Sequence, residues 1–372
     1  MKVLHIYKTY HSDTRGGIEE SIRQICLQTA KAGVLNTVIS LSKKIKKCET
    51  IQLPECTLIR YPVTFEISSN PVSISLLFDF KKLIKDKNIL HYYFPWPFAD
   101  ILHLFAGRKK KYILTYQSDI IKQRFLIHVY SFLMRWFIKK ADYITVSSEN
   151  YFNSSPYIWK FEQKCRIIPL GIDPASYPEV KKNSLKLLDK KTETNFFLFI
   201  GVLRYYKGLE YLIKAASGTP FKIIIAGKGP MEQKLKHEVK SLHLESQVIF
   251  LGAVTEEEKI ALLNKCRAFV FPSHLRSEAF GISLLEAAMC GVPMITCDIG
   301  TGTTFINIHE NTGIVVEPED DVQLRAAMNR FYKDQKLAEK MGKNARERFL
   351  NVFTADKMGK RFLDIYQKLD NL

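Results

Sequence analysis

Two glutamates eight positions apart are the residues of this chain best placed to do chemistry. Glu278 lies in a predicted loop, and Glu286 lies inside the predicted helix that follows Gly281. Because a helix leaves its first backbone amides unpaired, we expect those of Phe280, Gly281 and Ile282 to be free. Free amides at the positive end of a helix favour a phosphate group. A carboxylate repels a phosphate, so both glutamates are expected to accept hydrogen bonds from sugar hydroxyls.

The elements that position this pair are predicted to be a strand, a loop, a helix and another strand. Phe269–Phe271 is a short apolar run closed by Pro272, as buried parallel strands often are. Gly291 and Pro293 end the helix, which has Ile282, Leu285 and Met289 on one face. Such a connection opens the helix at the carboxyl edge of a parallel sheet, where open α/β sheets bind ligands. Sugar hydroxyls, a diphosphate and ribose hydroxyls are together the parts of a nucleotide sugar.

The segment Glu278-Ala-Phe-Gly-Ile-Ser-Leu-Leu-Glu286 resembles the E-x7-E signature of retaining GT-B glycosyltransferases of family four. For either glutamate alone, an ordinary surface residue on a helix is the better interpretation. The complete arrangement favours the resemblance, which covers nearly the whole chain and is strongest over residues 196–318.

The resemblance implies the GT-B fold. This is an α/β architecture of two doubly wound Rossmann-like domains facing across a cleft, with a C-terminal helix crossing back. The implied division of this chain is an acceptor-side domain at 1–173, a linker at 174–195, a nucleotide-sugar domain at 196–352 and the returning helix at 353–372.

Two cations follow the apolar strand predicted at Phe196–Gly201. By the resemblance, Arg204 and Lys207 bind the donor diphosphate together, although most family members place the arginine directly after the glycine. The alternative is a pair of surface cations at a helix start. Cations there oppose the helix dipole, which favours the functional interpretation.

Glycine turns follow two further predicted strands. Gly16 and Gly17 come between the first strand and the first helix, where they allow a ligand to approach the backbone closely. They do not form the G-x-G-x-x-G pattern, so a nicotinamide cofactor is weakly supported. Gly227 and Gly229 end the predicted strand Phe221–Ala226. All four glycines are expected to contribute to donor binding.

Gln117 follows the predicted strand Lys111–Tyr116, at a place where the family usually has a histidine. A glutamine can hydrogen-bond a hydroxyl but cannot take a proton near neutral pH. A retaining enzyme whose leaving phosphate helps to deprotonate the acceptor does not require that histidine. The predicted catalytic set is therefore Glu278, Arg204, Lys207 and Gln117. No Asp-x-Asp motif is present, so we expect no essential metal and no cofactor besides the donor substrate.

Composition indicates a globular protein of about two domains for 372 residues. No apolar run reaches the roughly 18 residues of a membrane span, and we expect no signal peptide. Seven cysteines without C-x-x-C spacing are typical of reduced thiols in cytoplasm.

The net charge of +17 lies mostly in residues 1–175, which hold 26 Lys and Arg against 14 Asp and Glu. An anionic membrane surface or simple solubility explains this excess equally well. No nucleic-acid-binding signature accompanies it.

The predicted membrane surface combines Arg108–Lys111 with an amphipathic helix at Ile120–Lys140. Basic residues interleaved with aromatic ones suit a membrane interface, and they suit a core-packed helix with a solvated face slightly better. The basic residues of that helix face are Lys122, Arg124, Arg135 and Lys139.

Three further segments are similar to bacterial mannosyl- and rhamnosyltransferases of surface polysaccharide, or O-antigen, assembly. They are Phe94–Asp100, Gly201–Gly208 and His274–Glu278. The resemblance implies transfer of a hexose, with GDP-mannose as the favoured donor and a lipid-linked saccharide as the acceptor. The implied location is cytoplasmic, on the inner face of the plasma membrane. The rival hypotheses are a GT-B sugar-nucleotide epimerase and a non-catalytic nucleotide-sugar-binding protein docked at the membrane.

Overall fold

The structure is a computed structural model that describes residues 1–371 except 12, 15, 69, 120–123 and 182–194, with the backbone alone for 124–129. Lys122, the side chain of Arg124 and most of the predicted linker therefore lie outside the described residues. The chain divides into two compact units, Met1–Gly171 with Ala355–Leu372, and Ile172–Thr354. Ile172 and Asp173, which the prediction had included in the first domain, belong to the second unit, as do residues 174–181 at the start of the predicted linker.

The first unit is built on one sheet in which every neighbouring pair is parallel except β3 with β4. Its strands are β1 Lys2–Ile6, β2 Leu35–Ser42, β3 Glu49–Gln52, β4 Thr57–Pro62, β7 Ile89–Phe94, β8 Lys111–Tyr116, β9 Tyr143–Val146 and β10 Cys165–Ile167, and a separate hairpin pairs β5 Phe65–Ile67 with β6 Asn70–Val72. The order in the sheet is β10-β9-β8-β7-β1-β2-β4-β3.

Helices cover both faces of this sheet. They are α1 Gly17–Lys31, α2 Ile74–Leu83, α3 Pro97–Leu102 with a π-helical turn at His103–Gly107, α4 Arg124–Lys140 and α5 Glu149–Ser154. The chain runs one way along the sheet through α1 and the other way through α2, α3 and α4. Because parallel crossovers are right-handed, α1 lies on one face and α2, α3 and α4 form a layer on the other. This is the predicted doubly wound arrangement.

The second unit contains a parallel sheet in the order β13-β12-β11-β14-β15-β16. Its strands are β11 Phe197–Ile200, β12 Ile223–Ala226, β13 Val248–Gly252, β14 Ala268–Phe271, β15 Met294–Cys297 and β16 Gly313–Val316. Its helices are α6 Leu209–Ala216, α7 Glu232–Ser241, α8 Glu256–Lys265, α9 Ile282–Met289, α10 Gly302–Ile306, α11 Asp321–Lys333 and α12 Gln335–Val352. Strands β11 and β14 are buried along their whole length, which explains their continuous apolar sequences.

The last helix, α13 Ala355–Asp370, belongs to the first unit, as the resemblance implied. It packs on α1 so closely that a Cβ on Gly359 would lie 2.3 Å from the Cβ of Gln28. The Tyr366 hydroxyl is hydrogen-bonded to His91 Nδ1 of β7 at 2.7 Å. Burying the apolar face of α13 in this way attaches the C-terminus to the first sheet.

Candidate active site

The order of strands in the second sheet reverses between β11 and β14, which are neighbours. Loops that leave adjacent strands at such a point diverge and open a crevice at the carboxyl edge, where α/β proteins bind ligands. Arg204 and Lys207 follow β11, and Glu278 follows β14. The strand order therefore brings predicted residues from distant parts of the sequence to one edge.

Lys207 and Glu278 form a buried ion pair at this edge, with exposures of only 8% and 9%. Lys207 Nζ contacts Glu278 Oε2, and it also lies 4.3 Å from the centre of the Phe271 ring. Ser273 Oγ donates to the same carboxylate oxygen at 3.5 Å. Glu278 Oε1 makes no hydrogen bond within the described part of the chain. One oxygen of this carboxylate is therefore engaged by the protein and the other is available to a ligand.

Helix α9 begins beside Glu278 with the unpaired amides that the sequence predicts. Among the described residues, nothing accepts a hydrogen bond from the amides of Phe280, Gly281 or Ile282. Gly281 has φ of 98°, and a Cβ there would come within 3.1 Å of Leu284 and Phe271. Glycine is therefore required for the chain to turn into the helix. Burial of α9 extends beyond the face of Leu285 and Met289, because every residue from Leu284 to Met289 is buried.

Glu286 lies within this buried stretch, with an exposure of 5%. Its Oε1 accepts from Lys259 Nζ of α8 at 2.5 Å and from the Tyr177 hydroxyl at 3.0 Å. Burial raises the pKa of Glu286 above its usual value, while the Lys259 ammonium and the Tyr177 hydroxyl act in the opposite direction. Neither glutamate is thus an ordinary surface residue. Sequence reasoning missed Lys259 and Tyr177, and no local pattern connects them to Glu286.

The two predicted diphosphate-binding cations have different surroundings. Arg204 is exposed and has no ion-pair or hydrogen-bond partner for its side chain among the residues described. Lys207 is buried and already neutralised by Glu278. In this arrangement Arg204 is the cation that is free to meet an anion, and Lys207 acts chiefly on the charge of Glu278.

Gly227 and Gly229 approach the polypeptide chain itself. A Cβ on Gly227 would lie 1.9 Å from the Gly201 carbonyl oxygen, and one on Gly229 would lie 2.4 Å from that of Leu203. The Leu203 amide donates to the Lys228 carbonyl at 3.1 Å. These glycines are therefore required by the packing of two loops, whether or not a ligand contacts them.

In the first unit, Gly16 and Gly17 stand at the start of α1. A Cβ on Gly16 would lie 2.5 Å from Glu19 Oε2, and Glu19 Oε1 accepts from Thr9 and Thr14. This carboxylate covers the helix start, so a phosphate there would meet a negative charge. Donor binding by Gly16 and Gly17 stays a prediction, and in this structure the carboxylate of Glu19 occupies the helix start.

Gln117 lies directly after β8 and is 8% exposed. Its backbone amide donates to the Phe94 carbonyl at 3.0 Å, which fixes the start of the loop. Its Nε2 is buried without a hydrogen-bond partner in the described structure. An unpaired buried amide costs free energy, so this nitrogen does not stabilise the fold.

Two family models match the chain. The model described as Glycosyltransferase Family 4 matches residues 15–176, and that described as Glycosyl transferases group 1 matches residues 180–348. Together with the fold and the site, these matches define the chain as a glycosyltransferase with the GT-B fold, belonging to the group 1, family 4 glycosyltransferases.

Curated relatives extend along almost the full chain. D-rhamnosyltransferase WbpZ of Pseudomonas aeruginosa is 42% identical over 95% of this chain and 93% of its own length. O-antigen chain mannosyltransferase C of Escherichia coli is 40% identical over 99% of both chains. These relatives are the subgroup that the three motif segments had indicated.

Solved structures confirm the fold. Sucrose-phosphate synthase from Thermosynechococcus elongatus superposes with a TM-score of 0.82 at 20% identity, over 99% of this chain and 98% of the other. HepE from Anabaena, in complex with UDP-glucose, gives a TM-score of 0.77 at 16% identity, over 99% and 100%. In the part of the chain that the structure describes, every helix is too short or too polar to span a bilayer.

Proposed function

We propose that this glycosyltransferase transfers a hexose from a nucleoside diphosphate sugar to a lipid-linked saccharide during synthesis of a surface polysaccharide. The observation that carries the proposal is the pair Glu278 and Glu286. Each buried carboxylate has one oxygen bound to a lysine and the other without a partner among the described residues, and the amides of α9 that lie between them in sequence are likewise unpaired there. This arrangement matches a ligand with hydroxyl groups on both sides of a diphosphate.

Each group then has a distinct role. Glu278 Oε1 accepts a hydroxyl of the transferred sugar, and Glu286 Oε2 accepts a ribose hydroxyl. The amides of Phe280, Gly281 and Ile282 bind the diphosphate with Arg204, whose charge stabilises the leaving group as negative charge develops on it. Transfer proceeds with retention, and the leaving phosphate takes the acceptor proton. Gln117 hydrogen-bonds a hydroxyl and takes no proton. No metal is required in this mechanism.

GDP-mannose is the favoured donor. The mannosyltransferase of E. coli is similar over nearly the whole chain, and the motif segments favour the same sugar. WbpZ, a D-rhamnosyltransferase, is equally similar, so a rhamnose donor is the first alternative. Family membership favours transfer over the rival hypotheses of an epimerase and a non-catalytic binder.

The deciding experiment incubates purified protein with a panel of GDP- and UDP-sugars and a lipid extract carrying the acceptor saccharide. We expect GDP release from GDP-mannose, a lipid that gains one hexose, and an α linkage by NMR, which is retention from an α donor. Glu278→Gln is the inactive control, because it keeps the shape and removes the charge. A changed sugar nucleotide without any labelled lipid would replace the proposal by the epimerase, and donor binding without turnover would replace it by the binder.

We propose that the enzyme works on the inner face of the plasma membrane and docks there through the α2–α4 layer. Phenylalanines project from three segments of this layer with exposures of 79% for Phe78, 73% for Phe105 and 83% for Phe132. Exposed cations follow each of them by three or four residues: Lys81 and Lys82, Arg108 and Lys109, and Arg135. Helix α2 contacts the π-helical turn, which continues α3, and α3 contacts α4.

This surface differs from the one predicted by sequence. Lys110 Nζ donates to the carbonyls of Lys85 and Lys87, and Lys111 Nζ donates to that of Leu369, so both ammonium groups are engaged within the fold. The new surface adds apolar anchors. A buried phenylalanine contributes about 1.5–3 kcal/mol, and each cation near an anionic surface contributes about 1 kcal/mol.

Flotation with vesicles tests this docking. Phe78→Ser combined with Phe105→Ser and Phe132→Ser should release the protein from phosphatidylglycerol vesicles at 0.15 M salt. Leu35→Ser, which removes an exposed apolar side chain outside the layer, is the matched control and should still float. Equal flotation of triple variant and control, or equal binding to neutral and anionic vesicles, would refute the docking surface without affecting the transfer reaction.

A further inference from the structure

Glu286 occupies an unusual position for a carboxylate. Its helix, α9, is otherwise built of apolar and small residues apart from Ser283, and it is buried on all sides from Leu284 onward. Moving a carboxylate out of water is costly unless a cation and hydrogen-bond donors compensate it. Lys259 and Tyr177 provide this compensation, and both act on a single oxygen, Oε1.

Lys259 is itself held in place. Its side chain is 12% exposed, its Nζ lies 2.7 Å from Glu256 Oε2 one turn earlier in α8, and it lies 5.3 Å from the centre of the Tyr177 ring. Although burial opposes it, the two carboxylates raise the pKa of Lys259 above its usual value. The lysine is therefore charged, oriented from one side by Glu256 and from the other by the tyrosine ring.

We infer that Lys259 and Tyr177 are positioning residues that hold Oε1 of Glu286 so that Oε2 accepts a ribose hydroxyl of the bound nucleotide. This inference rests on the proposed function, and it assigns a role to two residues outside the E-x7-E motif. Two donors on one oxygen define the rotation of the carboxylate, and the remaining oxygen, without a partner in the described structure, is left for the ligand. Lys259 also lowers the pKa of Glu286 against the effect of burial, which favours the ionised carboxylate, the stronger hydrogen-bond acceptor.

The test compares binding of GDP with that of its 2′,3′-dideoxy analogue by calorimetry. In the unmodified protein we expect the analogue to bind roughly ten- to a hundredfold more weakly, the loss typical of one hydrogen bond to a charged group. In Lys259→Met and in Tyr177→Phe the discrimination should shrink to a few-fold, because the carboxylate is no longer held. Lys259→Arg keeps the charge and should therefore retain part of the discrimination between GDP and its dideoxy analogue. Lys236→Met removes an ion-paired lysine from α7 and is the matched control, with discrimination unchanged.

The pH dependence of GDP affinity separates positioning from a purely structural role. The proposed hydrogen bond requires an ionised Glu286, so GDP affinity should fall at acid pH. Lys259→Met removes the opposite charge that favours ionisation, and the pH at which affinity falls should therefore rise by about one unit or more. Tyr177→Phe keeps the lysine cation, so the acid-side loss of GDP affinity should shift less in this variant. Tyr177→Phe also serves as the test if Lys259→Met does not fold. The inference is overturned if both variants discriminate the dideoxy analogue as well as the unmodified protein does. A protein that binds no nucleoside diphosphate at all would instead refute the proposed function.

Discussion

Replacement of Lys207 by methionine is the most direct test of the buried ion pair at the candidate site. Methionine keeps the length of the side chain and removes the charge, so the Glu278 carboxylate, 9% exposed, stays buried without its cation. Breaking such a pair from one side costs about 3–5 kcal/mol. The Phe271 ring would contact a thioether in place of an ammonium, which changes little in packing.

The expected loss is large enough to measure by calorimetry. A destabilisation of 1 kcal/mol lowers the Tm of a domain of this size by about 2–4 °C, so the second unit should melt roughly 6–20 °C earlier. The double variant Lys207→Met with Glu278→Gln leaves no charge buried and should recover most of this loss. Both variants should lose about a hundredfold or more in transfer rate, because the charged carboxylate and its cation serve the reaction.

Arg204→Ala is the contrasting control. Arg204 is exposed and has no partner among the described residues, so its removal should leave the Tm unchanged while the transfer rate falls by about a hundredfold. A Lys207→Met protein that melts within about 2 °C of the unmodified one, or a double variant no more stable than the single one, would refute the buried pair.

Burial lowers the pKa of His5 from its usual value of 6.5 to about 4, so His5 is neutral in the folded protein. The contribution of His5 to the free energy of unfolding should be full above about pH 6.5 and should be lost as the pH falls towards 4. Urea unfolding at several pH values checks this, and His5→Asn should reduce the loss of unfolding free energy at acid pH. Gly227→Ala should sharply lower the Tm because its Cβ would meet the Gly201 carbonyl oxygen at 1.9 Å, whereas Gly218→Ala, in open space, should cost only about 1–2 kcal/mol. Gln117→Leu should not lower the Tm, because Gln117 Nε2 is unpaired in the described structure, yet it should slow transfer; an unchanged rate would remove Gln117 from the predicted site.

Local sequence determined the elements around the candidate site. The predicted strands Ile89–Phe94 and Lys111–Tyr116 have the bounds of β7 and β8, and the helix begins at Ile282 as expected. Apolar runs, glycine stops and unpaired amides depend on neighbours along the chain, so one sequence is sufficient to find them. The two sheets follow from the alternation of strands and helices, and the E-x7-E pattern indicated the family.

Only the tertiary structure decided which charged and polar groups meet. Lys207 pairs with Glu278 across 71 positions, and Tyr366 reaches His91 across 275. The carboxylate of Glu19 lies against Gly16, where the glycine pattern alone predicted donor binding. The contact of Lys207 with Glu278 arises because the strand order brings distant loops to one sheet edge, where packing excludes water. A buried charge needs a partner. Burial, however, is a property of the assembled fold, so the sequence around a basic residue does not indicate which carboxylate it will pair with.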